Sequence, residues 1–150
     1  GGDKMGEFYT RKRLRLENYD YGTNGFYFIT ICTKDKKNIF GSINFDKEAK
    51  VLLSNKGLVV KKYIENIPEM KIYIIMPNHI HMILELENSN KNISKIVSSL
   101  KILTSKELGK SIWHRSFHDR VIRNERELEL IWDYVEHNPE RWRDDTYFVE

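Results

Sequence analysis

Residues Lys71–Leu86 read KIYIIMPNHIHMILEL. Lys71 to Met76 is a strongly apolar run of β-branched and aromatic residues, which suits a strand. Pro77-Asn78 is a turn or bulge signal. His79 to Leu86 then resumes as a strand. Side chains alternate across a strand, so His79 and His81 point one way while Ile80, Met82, Leu84 and Leu86 point the other. One face of this strand is therefore apolar, and the other carries two imidazoles.

Working outward, Phe26 to Thr33 (FYFITICT) has the composition of a buried strand. Ile39 to Phe45 and Ala49 to Leu53 read as two short strands joined across Asp46-Lys47. Ser54 is placed to cap a helix over about Asn55 to Asn66, with Leu58, Val59, Tyr63 and Ile67 at helical spacing and Pro68 closing it. Ile93, Ile96, Val97, Leu100, Leu103 and Leu108 mark a second amphipathic helix ended by Gly109. Trp113 to Arg123 (WHRSFHDRVIR) reads as a further strand. Asn124 followed by Glu127 resembles a capping box, and Leu128, Ile131, Trp132 and Val135 form the stripe of a third helix. Pro139 stops it, with the last regular residue near His137. The mixture of strands, hairpins and helices predicts an α+β domain with helices packed on an antiparallel sheet.

The chain has 150 residues, 40% hydrophobic and 31% charged. That balance supports one modest core and is not the composition of a disordered chain. No apolar run approaches the roughly 20 residues of a membrane span, so a cytoplasmic protein with no membrane partner is expected. Cys32 is the single cysteine, which rules out an internal disulfide and a cysteine-rich zinc site. Residues 1–10 are read as a tag remnant and a disordered arm, and residues 11–150 as one domain. The net charge of +3 permits nucleic-acid binding without requiring it. Its distribution is more informative. Arg11, Lys12, Arg13 and Arg15 cluster near the start, and Arg115, Arg120, Arg123 and Arg126 fall close together later.

Three groups of residues are candidates for chemistry. His79 and His81 stand about 7 Å apart along one strand face and can share a divalent ion. Two exposed histidines would give the same pattern, but a polar pair in so apolar a strand is costly without a partner. Tyr134 and Asn138 are four apart, hence neighbours on one helix face. Asn138 offers a carbonyl oxygen suited to a hard cation such as Mg²⁺ or Mn²⁺, and Tyr134 a hydroxyl able to act as a covalent nucleophile. A core tyrosine and a helix-ending asparagine would look the same. Arg115, Arg120 and Arg123, interleaved with Trp113, His114, Phe117 and His118, can clamp phosphates and stack on unpaired bases; an ordinary half-buried strand with solvated arginines would share that composition. Lys101 either reaches a phosphate or snorkels to solvent.

YIIMPNHIHMIL (Tyr73 to Leu84), SLK (Ser99 to Lys101), WHRSFHDRVIR and YVEHNPERW (Tyr134 to Trp142) occur in that order. Together with RLRLENYDYGTNGFYFITICT (Arg13 to Thr33) and IFG (Ile39 to Gly41), they resemble the REP-associated tyrosine transposases, part of the single-tyrosine HUH transposase group. The resemblance covers nearly the whole chain from about Arg11. It implies a ferredoxin-like HUH endonuclease fold, a divalent ion on His79 and His81, Tyr134 as nucleophile and Asn138 as a third ligand one turn later. It further implies a metal-dependent endonuclease and strand transferase that forms a 5′-phosphotyrosine on single-stranded, hairpin-forming DNA, acting as a monomer or homodimer. Two other readings stay open. One is a non-cutting module, derived from a transposase, that binds structured DNA or RNA. The other is a water-using metal hydrolase, against which stands the lack of an evident carboxylate beside the histidine pair.

Overall fold

A computed structural model describes residues 25–45, 49–86 and 92–149. Residues 1–24, which include the basic arm, and residues 46–48, 87–91 and 150 lie outside them.

Six strands and three α-helices follow one another: β1 (Gly25–Cys32), β2 (Gly41–Asn44), β3 (Lys50–Leu53), α1 (Asn55–Ile64), β4 (Met70–Met76), β5 (His79–Leu86), α2 (Ile93–Leu108), β6 (His118–Ile122) and α3 (Glu125–Glu136). A 3-10 turn at Lys34–Lys36 and a 3-10 segment at Asn138–Asp144 complete the described elements. The main sheet has the order β4-β5-β1-β6, and every neighbouring pair is antiparallel. With α1 before β4 and α2 before β6, this is the β-α-β-β-α-β ferredoxin-like arrangement. The hairpin β2-β3 stands apart as a two-stranded sheet.

The helix signals read at Ser54, Asn124 and Gly109 act as expected, and Asn92 adds a cap that the sequence reading did not single out. Ser54 caps α1 by accepting from the Gly57 amide, Asn92 caps α2, and Asn124 accepts from the Glu127 amide at the start of α3. Gly109 ends α2 in the left-handed conformation with φ 74°, which glycine adopts without strain. Gly57 sits inside a helix because a Cβ there would overlap the Phe40 carbonyl oxygen.

The strand expected over Trp113 to Arg123 is shorter. Only His118–Ile122 pairs along β1, and Trp113 makes an isolated bridge to Thr33. His114 still donates its N–H to Cys32 O at 2.8 Å; residues 115–117 then leave the ladder, and the Lys101 ammonium binds the carbonyls of His114 at 2.8 Å and Arg115 at 3.3 Å. Asn138 is likewise not on the helix of Tyr134. His137 already departs from helical geometry, because Pro139 lacks the N–H that would continue the helix and its ring would crowd the Val135 carbonyl, and Asn138 opens the 3-10 segment instead.

The alternation along each strand sorts the core into two layers. Ile29, Ile31, Ile75, Ile80, Met82 and Leu84 face α1 and α2 and pack with Val60, Ile64, Ile96, Val97 and Leu100. On the other face, Phe26, Phe28, Ile72, Ile74, Ile83 and Ile122 meet Leu128, Ile131, Trp132 and Val135 of α3. The two histidines belong to this second face.

Candidate active site

His79 and His81 sit mid-sheet because β5 is an inner strand, between β4 and β1. The registers place Cys32 and Met76 beside His79, and Thr30 and Ile74 beside His81. Both imidazoles are buried, at 0% and 1% exposure, with ring centroids 4.6 Å apart. Phe28 stacks on His81 at 5.1 Å. The Tyr134 ring stands edge-on to His81 at 5.4 Å, within the same chain. From the far side the C-terminal segment closes over the pair, with Tyr147 at 4.4 Å and Trp142 at 6.1 Å from His79.

Hydrogen bonding fixes how each ring is presented. Asn78 donates through Nδ2 to the carbonyls of Lys36 and Tyr147, at 3.3 and 2.7 Å. Its Oδ1 therefore faces His79 Nδ1, 2.9 Å away, and that nitrogen must carry the proton. Thr30 Oγ1 lies 2.8 Å from His81 Nδ1 and can hold the equivalent tautomer. In both rings Nε2 is left as a lone-pair atom. His79 Nε2, His81 Nε2 and Asn138 Oδ1 are all buried, and none has a hydrogen-bond partner among the described residues. Three buried acceptors without donors are expensive, and a cation is the partner that would satisfy all three.

The charge state agrees. Burial pulls His79 down to about 3, with Asn138 acting in the opposite direction. Burial also holds His81 well below the ordinary histidine range, and the neighbouring His79 adds to that. Both rings are thus neutral near pH 7, the state in which imidazole binds a metal. Burial raises the Tyr134 phenol, as does the Asp145 carboxylate, while Asn138 and Arg141 favour its ionised form.

A cleft of about 660 Å³ opens from this cluster to the surface, walled by Phe28, Thr30, His81, Tyr134, Arg120 and Arg126 among others. Its arginines lie at the mouth. Arg120 is on the same sheet face, opposite Phe28, and pairs with Glu127 at 2.8 Å. Arg123 follows the same edge strand and gives its backbone N–H to Glu127 Oε1. Arg115 is exposed on the loop before β6. Lys101 lies at the base of that loop, its ammonium engaged by the two carbonyls already described.

No family model matches the chain. An uncharacterized protein of Haemophilus influenzae is 30% identical over 172 residues, spanning 93% of this chain and 94% of its own. A second protein of that organism, provisionally named a REP-associated tyrosine transposase, is 27% identical and covers 83% of this chain and 76% of its own. A solved REP-associated tyrosine transposase bound to a REP hairpin superposes with a TM-score of 0.58 at 21% identity, over 78% of this chain and 67% of that one. The chain thus shares its fold with a REP-associated tyrosine transposase and is similar in sequence to a protein provisionally given that name. A provisionally named transposase from Deinococcus radiodurans shares the fold, with a TM-score of 0.52 at 18% identity, over 80% of this chain and 93% of that one. A transposase-like activity is thereby supported.

The sequence reading missed four residues around His79, His81 and Asn138. Thr30 and Asn78 orient the imidazoles. Tyr147 covers His79. Asp145 stands behind Asn138, its Oδ2 accepting from Asn138 Nδ2 at 3.3 Å. Only Asn78 had a local signal, in the turn ahead of the histidines. The others arrive through strand register or through the chain doubling back after Pro139. A separate cluster, Asp133, Glu136 and His137, gathers its ligand atoms within 4.8 Å at the end of α3. There Asp133 and His137 pair with each other at 3.0 Å. No described helix is long and apolar enough to cross a membrane.

Proposed function

We propose that this chain is a metal-dependent single-strand DNA endonuclease and strand transferase, with Tyr134 as its nucleophile. The observation that carries the reading is the convergence of three partnerless buried atoms, His79 Nε2, His81 Nε2 and Asn138 Oδ1, beside a phenol at the wall of an open, arginine-rimmed cleft. A divalent ion such as Mn²⁺ or Mg²⁺ on those three atoms would supply Lewis-acid stabilisation of the charge on the reacting phosphate.

The protein's own groups do the remainder. Arg120 and Arg126 draw the DNA backbone to the cleft mouth. Tyr134 Oη attacks the phosphorus in line as its proton leaves to solvent. The bond from phosphorus to the 3′ oxygen breaks, and that oxygen takes up a proton as a 3′-hydroxyl. The product is a 5′-phosphotyrosine, which conserves the phosphodiester for rejoining, so no energy-rich cofactor is needed. The cleft admits an unpaired or distorted strand more readily than a continuous duplex, because the phosphate must pass between β1 and α3. A structural neighbour bound to a REP hairpin supports hairpin-forming DNA as the substrate class. Tyr134 stands beside His81 of its own chain, which supports a site assembled within one subunit.

The test is a labelled hairpin oligonucleotide with Mn²⁺. Cleavage and an SDS-resistant protein–DNA band are expected, and both vanish in Tyr134→Phe. Normal cutting by that variant would remove Tyr134 from the mechanism. The packing of Trp142 and Tyr147 on His79 favours a second reading, a module that binds structured DNA or RNA without cutting. Under that reading, binding survives EDTA and no substrate is cleaved.

A further inference from the structure

We infer that Asp145 is the positioning residue for Asn138, the group that turns its amide so that the carbonyl oxygen, and not the NH₂, faces the two imidazoles. The inference rests on the metal-binding reading above and names a residue that reading does not use.

An asparagine side chain has two ends of nearly equal size and opposite hydrogen-bonding character. A ligand asparagine must present oxygen. A carboxylate only accepts, so it selects one orientation: Asn138 Nδ2 faces Asp145 Oδ2 at 3.3 Å, which leaves Oδ1 turned the other way, buried and without a partner. The flipped amide would set oxygen against carboxylate and lose its charge-assisted bond. Asp145 is itself held firmly. Its Oδ1 accepts from the Tyr147 amide at 2.9 Å, its own N–H donates to Trp142 O at 3.1 Å, and its carbonyl accepts from Phe148 N at 3.0 Å.

Asp145 is placed as a support for a ligand, not as a ligand. Among the described residues, the one trio of histidine, cysteine or carboxylate ligand atoms within 4.8 Å is Asp133, Glu136 and His137; Asp145 does not form such a trio with His79 and His81. Its role completes a set. Asn78 governs His79, Thr30 governs His81 and Asp145 governs Asn138, so each ligand-bearing side chain is oriented through its other polar atom, as outer partners of metal ligands are.

The experiment is a Mn²⁺ titration of the full chain without DNA, following the free-Mn²⁺ signal by electron paramagnetic resonance, with metal-free melting curves for every variant. Asp145→Ala should weaken Mn²⁺ binding by about 10–100-fold. Asp145→Ser should match it, because serine can keep the turn bond to Tyr147 but is too short for Asn138. Asp145→Asn, which still offers Asn138 an oxygen, should retain most of the affinity. In an Asn138→Ala background, Asp145→Ala should add nothing. Wild-type affinity in both the Ala and Ser variants would overturn the inference, as would a further loss in the Asn138→Ala background. Equal losses in the Asn and Ala variants would also overturn it, by making the carboxylate a ligand. His79→Ala and His81→Ala separate the two layers of the argument. If they leave Mn²⁺ binding intact, the metal site itself fails; if they abolish it while Asp145→Ala does not, only the role of Asp145 falls.

Discussion

His79 and Ile80 are consecutive in the chain and lie on opposite faces of one strand. Both are fully buried, yet their surroundings differ in kind. Ile80 sits in a closed hydrocarbon layer between the sheet and the helices α1 and α2, where its contribution is area removed from water. His79 faces a layer that α3 and the C-terminal segment cover only in part, with a cleft left open at Tyr134. There burial is costly, because it leaves ring nitrogens without partners. The first face makes the fold stable. The second spends part of that stability on holding unsatisfied acceptors in a fixed array, as functional sites do.

Tyr134→Phe probes the open face most severely. Cleavage of a hairpin substrate should fall by at least about 10³-fold, because the covalent route is lost, while the melting temperature hardly changes. A variant that melts early but still cuts would move Tyr134 into the structural layer and erase the contrast. On the closed face, Ile80→Ala should cost about 2–5 kcal/mol, at about 2–4 °C of melting temperature per kcal/mol for a chain of this size. Mn²⁺ affinity of the folded fraction should stay as it was. His79→Ala should do the reverse. Similar losses of metal binding in both would mean that the two faces are not independent.

Acid gives a third probe. His79 is pulled down to about 3, and His81 is also lowered. The unfolded chain therefore takes up protons before the folded one as pH falls below the ordinary histidine value of about 6.5. Stability present above that pH is lost progressively toward pH 3. Melting of the metal-free protein should drop between pH 7 and 4, and His79→Gln with His81→Gln should flatten that drop. An unchanged slope would place the acid sensitivity elsewhere. The smallest effect is expected at the cleft mouth. Arg120 is 60% exposed and already paired with Glu127, so Arg120→Ala should weaken binding of a hairpin oligonucleotide only a few-fold. It should also lower the salt slope by about one. A loss as large as that of His79→Ala would make Arg120 part of the reacting centre.

Periodicity made the sheet and all three helices legible. Ser54, Asn124 and Gly109 marked helix ends by local bonds that any tertiary setting would preserve. The reading failed where a distant group intervened. The strand read over Trp113 to Arg123 is interrupted at residues 115–117, where Lys101 binds the carbonyls of His114 and Arg115. The spacing of Tyr134 and Asn138 suggested one helix face. Pro139 moved Asn138 into the 3-10 segment, and the two residues remain neighbours because that segment turns back against the sheet.

The order of apolar and polar residues in Lys71–Leu86 was enough to set two histidines on one face of a buried strand, since strand alternation is a property of the backbone itself. It was also enough to bound a helix carrying Tyr134. Which atoms of those residues meet was decided only by the tertiary structure. Thr30 reaches His81 through an antiparallel register 51 positions away in sequence, and Asp145 reaches Asn138 because the chain reverses after Pro139. Contacts of this kind depend on the summed packing of every element between them, and no local pattern of residues encodes that sum.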